Sequence, residues 1–142
     1  MLKASVIILT IMLAYAAIYS LMAIITPKAV MESVIQASIG KTIDNARNDG
    51  YLKALTFIVI HLGSLALAGV IADFFILFIG FRKAQRWAWF ALLIACGIGW
   101  LIGLILNIVI GNMMNIILQG IGVVLFLVGL LLPVKSFFGK KT

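Results

Sequence analysis

Four long apolar runs dominate the chain, and short polar segments separate them. The runs cover about residues 4–26, 54–80, 87–110 and 113–134. Each contains the roughly 20 apolar residues that a helix needs to cross the hydrocarbon core of a bilayer. Each must be helical, because lipid offers no hydrogen-bond partner to the backbone of an open strand. The pattern therefore predicts an all-α integral membrane protein, a four-helix bundle that forms one transmembrane domain over residues 1–142.

The first run has an alternative interpretation as a cleaved secretory signal. Lys3 precedes the apolar stretch, and Ala14 and Ala16 supply the small residues of a cleavage site. The apolar run nevertheless continues ten residues beyond Ala16, to Thr26. A run of this length is typical of a retained helix, so we predict that it is a membrane span.

The long connection between the first two runs, residues 27–53, is predicted to lie on the membrane surface. Pro27 suits the first turn of a helix, and apolar residues then recur at helical spacing up to Ile39. This pattern predicts a short amphipathic helix between the first and second spans. Thr42 is placed to cap a second short helix that ends at Gly50. We expect a structured cap over the bundle, with a partner-binding site as the alternative.

Composition agrees with membrane insertion. Of 142 residues, 65% are hydrophobic and 11% are charged, whereas about a quarter of the residues in a soluble domain are charged. The net charge of +7 comes from basic residues that lie mostly at the ends of the apolar runs. There they meet anionic head groups. Since no basic stripe follows a polar element, we expect the lipid bilayer, and no nucleic acid, as a partner.

The distribution of lysine and arginine predicts the orientation. With the amino terminus inside, the inner segments hold seven basic residues and the outer segments hold four. The inner residues are Lys3, Arg82, Lys83, Arg86, Lys135, Lys140 and Lys141, and the outer residues are Lys28, Lys41, Arg47 and Lys53. Basic residues are enriched on the cytoplasmic side of membrane proteins. We therefore predict a multi-pass protein of the cell membrane with both termini in the cytoplasm.

Two ionisable residues, His61 and Asp73, lie inside the second run. Ionisable groups within a membrane are costly and usually face the bundle interior. On a helical wheel the two residues flank a face of small side chains, including Ser64, Ala68 and Ala72, which we expect to pack inward. Their twelve-residue spacing separates them by about 18 Å along the helix, so they cannot act as a catalytic pair.

Polar residues of the other runs are expected to meet these two groups. The residues of a possible ligand or proton site are His61, Asp73, Asn107, Gln119 and Tyr19, with Ser20 and Asn115 nearby. Asp73 is also expected to meet Arg82 or Arg86 from the following loop. The alternative for both groups is interhelical hydrogen bonding that only stabilises the fold.

Neither cysteine nor metal chemistry is expected. Cys96 stands alone in the third run and is predicted to be a small buried hydrophobic residue. A single histidine cannot supply two axial ligands to a haem, so we predict no metal site within one chain, with a site shared with another subunit as the alternative.

Glycines on the third and fourth runs predict close helix packing. They are Gly99, Gly103, Gly122 and Gly129. Gly99 and Gly103 form a GxxxG pair, which permits two helix backbones to approach. Packing within the chain explains these glycines, and a seam between identical chains is the alternative.

The segment between the second and third runs is basic and aromatic. It contains a predicted membrane-interface anchor formed by Arg82, Lys83, Arg86, Trp87 and Trp89. The stretch Phe81 to Trp89 also resembles a loop of small four-span prokaryotic membrane proteins of DoxX-like type. That loop often reads Phe-Arg-Arg/Lys-Gly-x-Arg-Trp-Ala-Trp, and Ala84 stands at its glycine position. The resemblance implies the four-span architecture and no agreed reaction.

Three functions follow as hypotheses. We expect first a non-enzymatic subunit or assembly partner of a membrane complex, or a homo-oligomer, because small-residue faces occur without a converging reactive set. The second is a small proton-linked carrier that uses Asp73 or His61. The third is a membrane enzyme or binder for a lipophilic molecule, a quinone or a lipid, near His61. No other cofactor is expected.

Overall fold

Helices account for nearly all of the described chain. A computed structural model describes residues 1–40, 42 and 49–139. Its α-helices are α1 (Leu2–Ile25), α2 (Pro27–Ile39), α3 (Asp49–Ile79), α4 (Arg86–Ile110), α5 (Met113–Leu131) and α6 (Val134–Phe138), with a 3-10 turn at Phe81–Lys83 between α3 and α4. The predicted all-α class and the four-helix bundle are confirmed.

Within the described residues, four segments are long and apolar enough to cross a membrane. They are Leu2–Ile25, Gly50–Lys83, Arg86–Ile110 and Met113–Phe138. Their outward surfaces carry large aliphatic and aromatic side chains, as the lipid-facing side of a membrane bundle does. Helix α3 begins at Asp49, several residues before the predicted span. Backbone hydrogen bonds continue through the polar residues at the edge of the apolar run, so the helix is longer than the span.

Helix α1 lies at the centre of the packing. It contacts α3 and α5 extensively, α5 contacts α4, and α3 contacts α4 less. Leu9, Met12 and Leu13 of α1 are each at most 1% exposed. Gly63 of α3 brings the two helices close, because a methyl group there would lie 2.9 Å from Cβ of Ala23. The bundle therefore has a tightly packed α1 and a looser boundary between α3 and α4.

The end of the bundle that holds Met1, the 3-10 turn and α6 is here called the basic side. Phe81 is fully buried there, and its ring lies 4.8 Å from that of Phe137. The Arg86 Nε donates a hydrogen bond to the Phe137 carbonyl at 3.1 Å. Trp89 is half-buried and donates to the Leu130 carbonyl at 3.0 Å. Trp89 thus joins α4 to α5, while Arg82, Lys83, Arg86 and Trp87 are exposed.

The opposite end, here called the α2 side, is covered by the amphipathic helix that the sequence predicts. Met31 of α2 is 4% exposed and accepts a hydrogen bond from Thr56 Oγ1 at 3.5 Å. The Asn112 amide donates to the Ser33 carbonyl at 3.2 Å. Residues 43–48, where a second short helix was predicted, lie outside the described residues, and Gly50 belongs to α3 instead of ending a helix.

The prediction of which face of α3 points inward is wrong. Ser64, Ala68 and Ala72 are exposed, whereas Val70 and Leu77 are buried. At about 100° per residue, the buried residues lie on the side opposite to His61. A face of small side chains is not always the face that packs. In this protein the close approach of α1 at Gly63 determines which face of α3 points inward.

The four predicted packing glycines have different surroundings. Gly103 faces the Gln119 side chain, Gly122 faces the Trp100 ring, and Gly129 faces Leu9. Gly99 faces open space, since no atom apart from its chain neighbours and the backbone of its own helix lies within 4 Å of a methyl group placed on it. The expected close approach of a helix at Gly99 is therefore not found, because a cavity lies there.

Stability should distinguish a packed glycine from an open one. A methyl group at Gly129 would lie 2.7 Å from two atoms of buried Leu9, so Gly129→Ala should lower the free energy of unfolding by about 1–3 kcal/mol. The matched control is Gly120→Ala on the same helix, where no atom lies within 4 Å of the added methyl. Alanine favours helix over glycine, so the control should be neutral or stabilising. Unfolding in mixed micelles measures both, and equal losses would contradict the packing at Gly129.

Candidate functional site

A cavity of about 280 Å³ lies between α1, α3, α4 and α5. Each of these four helices contributes side chains to its wall. Much of the wall is apolar, with Leu13, Val70 and Leu118 among its residues, and a few polar groups interrupt it. Ligand sites in proteins have this composition, in which apolar walls give affinity and a few placed polar groups give orientation.

A carboxyl group and a thiol meet in the wall of the cavity. The Cys96 Sγ donates a hydrogen bond to Asp73 Oδ2 at 3.2 Å, which joins α4 to α3. Asp73 is 7% exposed and Cys96 is 5% exposed. Asp73 therefore lies inside the bundle with the thiol as its hydrogen-bond partner in the described structure, and its carboxylate reaches the cavity.

The expected partners of Asp73 lie elsewhere. Arg86 donates to the Phe137 carbonyl, and the Arg82 side chain is exposed on the basic side. Both arginines lie near the bundle end, whereas Asp73 lies about two turns inside α3. The expectation of an arginine folded back onto Asp73 is wrong, because Arg86 hydrogen-bonds to the Phe137 backbone and the Arg82 side chain is exposed.

Aromatic and amide side chains line the cavity toward the α2 side. Tyr19 donates to Asn115 Oδ1 at 3.4 Å, and Tyr15 donates to the Leu118 carbonyl at 3.3 Å. The rings of Tyr15 and Trp100 stack with their centroids 6.1 Å apart. These contacts connect α1 to α4 and α5. Gln119 also lines the cavity, so the structure brings Tyr19, Asn115 and Gln119 together.

The cavity opens on one side between α3 and α4. Ala66 and Gly69 of α3 and Ala95 and Gly99 of α4 line it and are exposed. No atom lies within 4 Å of a methyl group placed on either glycine. Because these residues have small or no side chains, the cavity reaches the surface that faces lipid.

A second space of about 240 Å³ adjoins the cavity. It shares Tyr19, Ser20 and Ala66 with the cavity and extends toward Val30 of α2. The two spaces therefore lie next to each other between α1 and α3.

Two of the predicted site residues lie away from the cavity. His61 is exposed, and its ring stacks on Phe57 at 6.0 Å. The expectation that His61 faces the interior is wrong, because α3 packs its opposite side against α1. Asn107 does not line the cavity in the described structure, and its amide donates to the Gly103 carbonyl at 2.8 Å within α4.

The cavity-wall residues that sequence reasoning missed include Tyr15, Cys96 and Trp100. Tyr15 stands four residues before Tyr19, and this helical spacing places both on one face. Cys96 carried no comparable signal, because its pairing with Asp73 depends on how α3 and α4 meet. Cys96 is buried, as predicted, but its thiol also donates a hydrogen bond to the Asp73 carboxylate.

Comparison with protein-family models, curated proteins and solved structures found no match to this chain. The resemblance of the Phe81 to Trp89 stretch to DoxX-like proteins therefore stays a prediction. Ala84, which stands at the glycine position of that loop, has a φ of 54°. This left-handed conformation is one that glycine adopts without steric cost.

Proposed function

We propose that this protein binds a lipophilic molecule in the cavity between its four spanning helices. The observation that supports this function is the cavity itself, which combines apolar walls with a carboxyl, a thiol and several aromatic and amide groups. A quinone or a lipid is the ligand class expected from the sequence. The site is centred on Asp73 and the tyrosines, and His61 is not part of it.

The bilayer is the proposed source of the ligand. The cavity opens between α3 and α4, where Gly69 and Gly99 leave a gap in the outer wall of the bundle. A molecule dissolved in lipid reaches this gap by lateral diffusion, and its apolar part loses little solvation because lipid and cavity wall are both apolar. Binding is also the first step of the carrier function, and Asp73 is the residue that both functions use.

Photolabelling tests binding in the cavity. The probe is 3-trifluoromethyl-3-phenyldiazirine, a small neutral lipophilic compound that inserts into nearby bonds on illumination. Ala16 and Val70 line the cavity and have low exposure to lipid. We expect both residues to carry more label than this low exposure would produce. Outward-facing Ile7 and Ile18 of α1 give the level of labelling by probe dissolved in the detergent.

A pair of glycine variants supplies the control. Gly99→Leu adds a side chain at the opening, where no atom lies within 4 Å, and should lower labelling of Ala16 and Val70 to near background. Gly120→Leu adds the same side chain at an equally open position that does not line the cavity, and should leave labelling unchanged. Mass spectrometry of the labelled peptides measures both. Equal labelling in the wild type and Gly99→Leu would argue against a ligand in the cavity.

A role as an assembly subunit is the second candidate. The small-residue face of α3, formed by Ser64, Ala68 and Ala72, is exposed on the outside of the bundle. Faces of this kind let another transmembrane helix approach closely. A second membrane protein, or a second copy of this chain, is the proposed partner on this face.

Cysteine crosslinking in native membranes tests this face. In a Cys96→Ala background, Ala68→Cys should give a crosslinked adduct of one defined mass with a short thiol or photoactivated reagent. Ile98→Cys, which is exposed on α4 at a similar distance from the basic side, is the matched control and should give none. Equal crosslinking at both positions would indicate random collisions and contradict a specific partner.

We also propose that both termini lie in the cytoplasm, since the basic side then faces inward. Gln85 lies on the basic side and Gln36 lies on α2, and both are exposed. In the Cys96→Ala background, an impermeant maleimide added to intact cells should label Gln36→Cys and spare Gln85→Cys until the cells are lysed. The reverse pattern would overturn the orientation.

A further inference from the structure

We infer that the cavity prefers a lipophilic cation, an amine or quaternary ammonium group on an apolar body, over neutral or anionic molecules of the same shape. This inference rests on the proposed function, and for the same site it replaces the quinone or lipid expected from the sequence with a cationic ligand. It is carried by Asp73, by the charges of the cavity wall, and by the aromatic side chains beside it.

The wall of the cavity carries one acidic side chain and no basic one. Among the described residues that line it, Asp73 is the sole carboxylate, and lysine, arginine and histidine are absent. Asp73 is 93% shielded from solvent, since its exposed fraction is 7%. A carboxylate held in a setting of low dielectric gains more from a nearby positive charge than one in water does. The thiol of Cys96 supplies a hydrogen bond and no charge.

Aromatic rings supply further attraction for a cation. Tyr15, Tyr19 and Trp100 line the same cavity, and Tyr15 stacks against Trp100. The faces of such rings attract ammonium groups, and more strongly where water is excluded. A cation therefore finds a carboxylate and aromatic rings within one apolar enclosure.

The same charges exclude other head groups. An anionic molecule would bring a like charge to Asp73 with no basic residue in the wall to compensate. A phosphocholine head group carries an ammonium but also a phosphate, which would meet the same obstacle. Free lipophilic amines and quaternary ammonium compounds are therefore favoured over phosphocholine lipids.

Competition against the diazirine label tests this preference in the non-ionic detergent dodecyl maltoside. The competitors are benzyltrimethylammonium, its neutral isostere neopentylbenzene, and hexylphosphocholine. We expect benzyltrimethylammonium to suppress labelling of Ala16 and Val70 in the wild type, and to require a concentration about tenfold higher in Asp73→Asn. The concentration of neopentylbenzene that suppresses labelling should be the same in the wild type and in Asp73→Asn. Each compound is compared with itself in the two proteins, so its partition into the micelle does not affect the comparison.

Matched variants separate the charge in the cavity from the charge of the whole chain. Glu32→Gln removes one negative charge from the exposed surface of α2 and should leave competition by the cation unchanged. Asp73→Glu keeps the carboxylate and should keep the preference. If Asp73→Asn does not fold, the wild type still decides, because neopentylbenzene or hexylphosphocholine competing as well as benzyltrimethylammonium at equal measured concentration in the micelle would overturn the inference.

The two proposals fail in different ways. Loss of the cavity label itself, with Ala16 and Val70 labelled as far below Ile7 as their low exposure to lipid predicts, would contradict ligand binding as a function. A cavity label that every competitor suppresses equally, in the wild type and in Asp73→Asn, would leave binding in place and overturn the cation preference.

Discussion

The position of α1 between α3 and α5 is the constraint on which the rest of the bundle depends. Lipid gives no hydrophobic drive for one apolar helix to join another, so the contacts come from close packing. At α1 that packing uses Gly63 against Ala23 and Gly129 against Leu9. Because α1 occupies the centre, α3 and α4 meet over a shorter length, and the space between them stays open as a cavity.

The contents of that cavity follow from the same arrangement. The rotation of α3 that packs Gly63 and Val70 against the interior also carries Asp73 inward, where Cys96 of α4 donates to it. It carries His61 outward at the same time. A buried carboxylate is costly in a membrane unless something partners it. The Cys96 thiol supplies a hydrogen bond to this carboxylate, and the proposed cationic ligand would supply a positive charge.

The two ends of the bundle hold the helices in this arrangement. On the basic side, Phe81 and Phe137 pack together while the Trp89 indole bonds to the backbone of α5. On the α2 side, Asn112 caps α5 and donates to the Ser33 carbonyl of α2. Side-chain contacts therefore hold both ends of the described bundle, and the gap between α3 and α4 lies between these ends.

The sequence by itself determined the number of spans, their helical form and the amphipathic helix α2, because length and hydrophobic periodicity control these directly. It also singled out Asp73, since a carboxylate in an apolar run is costly wherever it faces. The tertiary structure alone decided which side of α3 packs, and so placed Asp73 inside and His61 outside. It likewise decided that Gly99 borders a cavity and that Cys96 meets Asp73. Helix rotation in lipid depends on the shapes of the neighbouring helices, and no pattern along one helix contains that information.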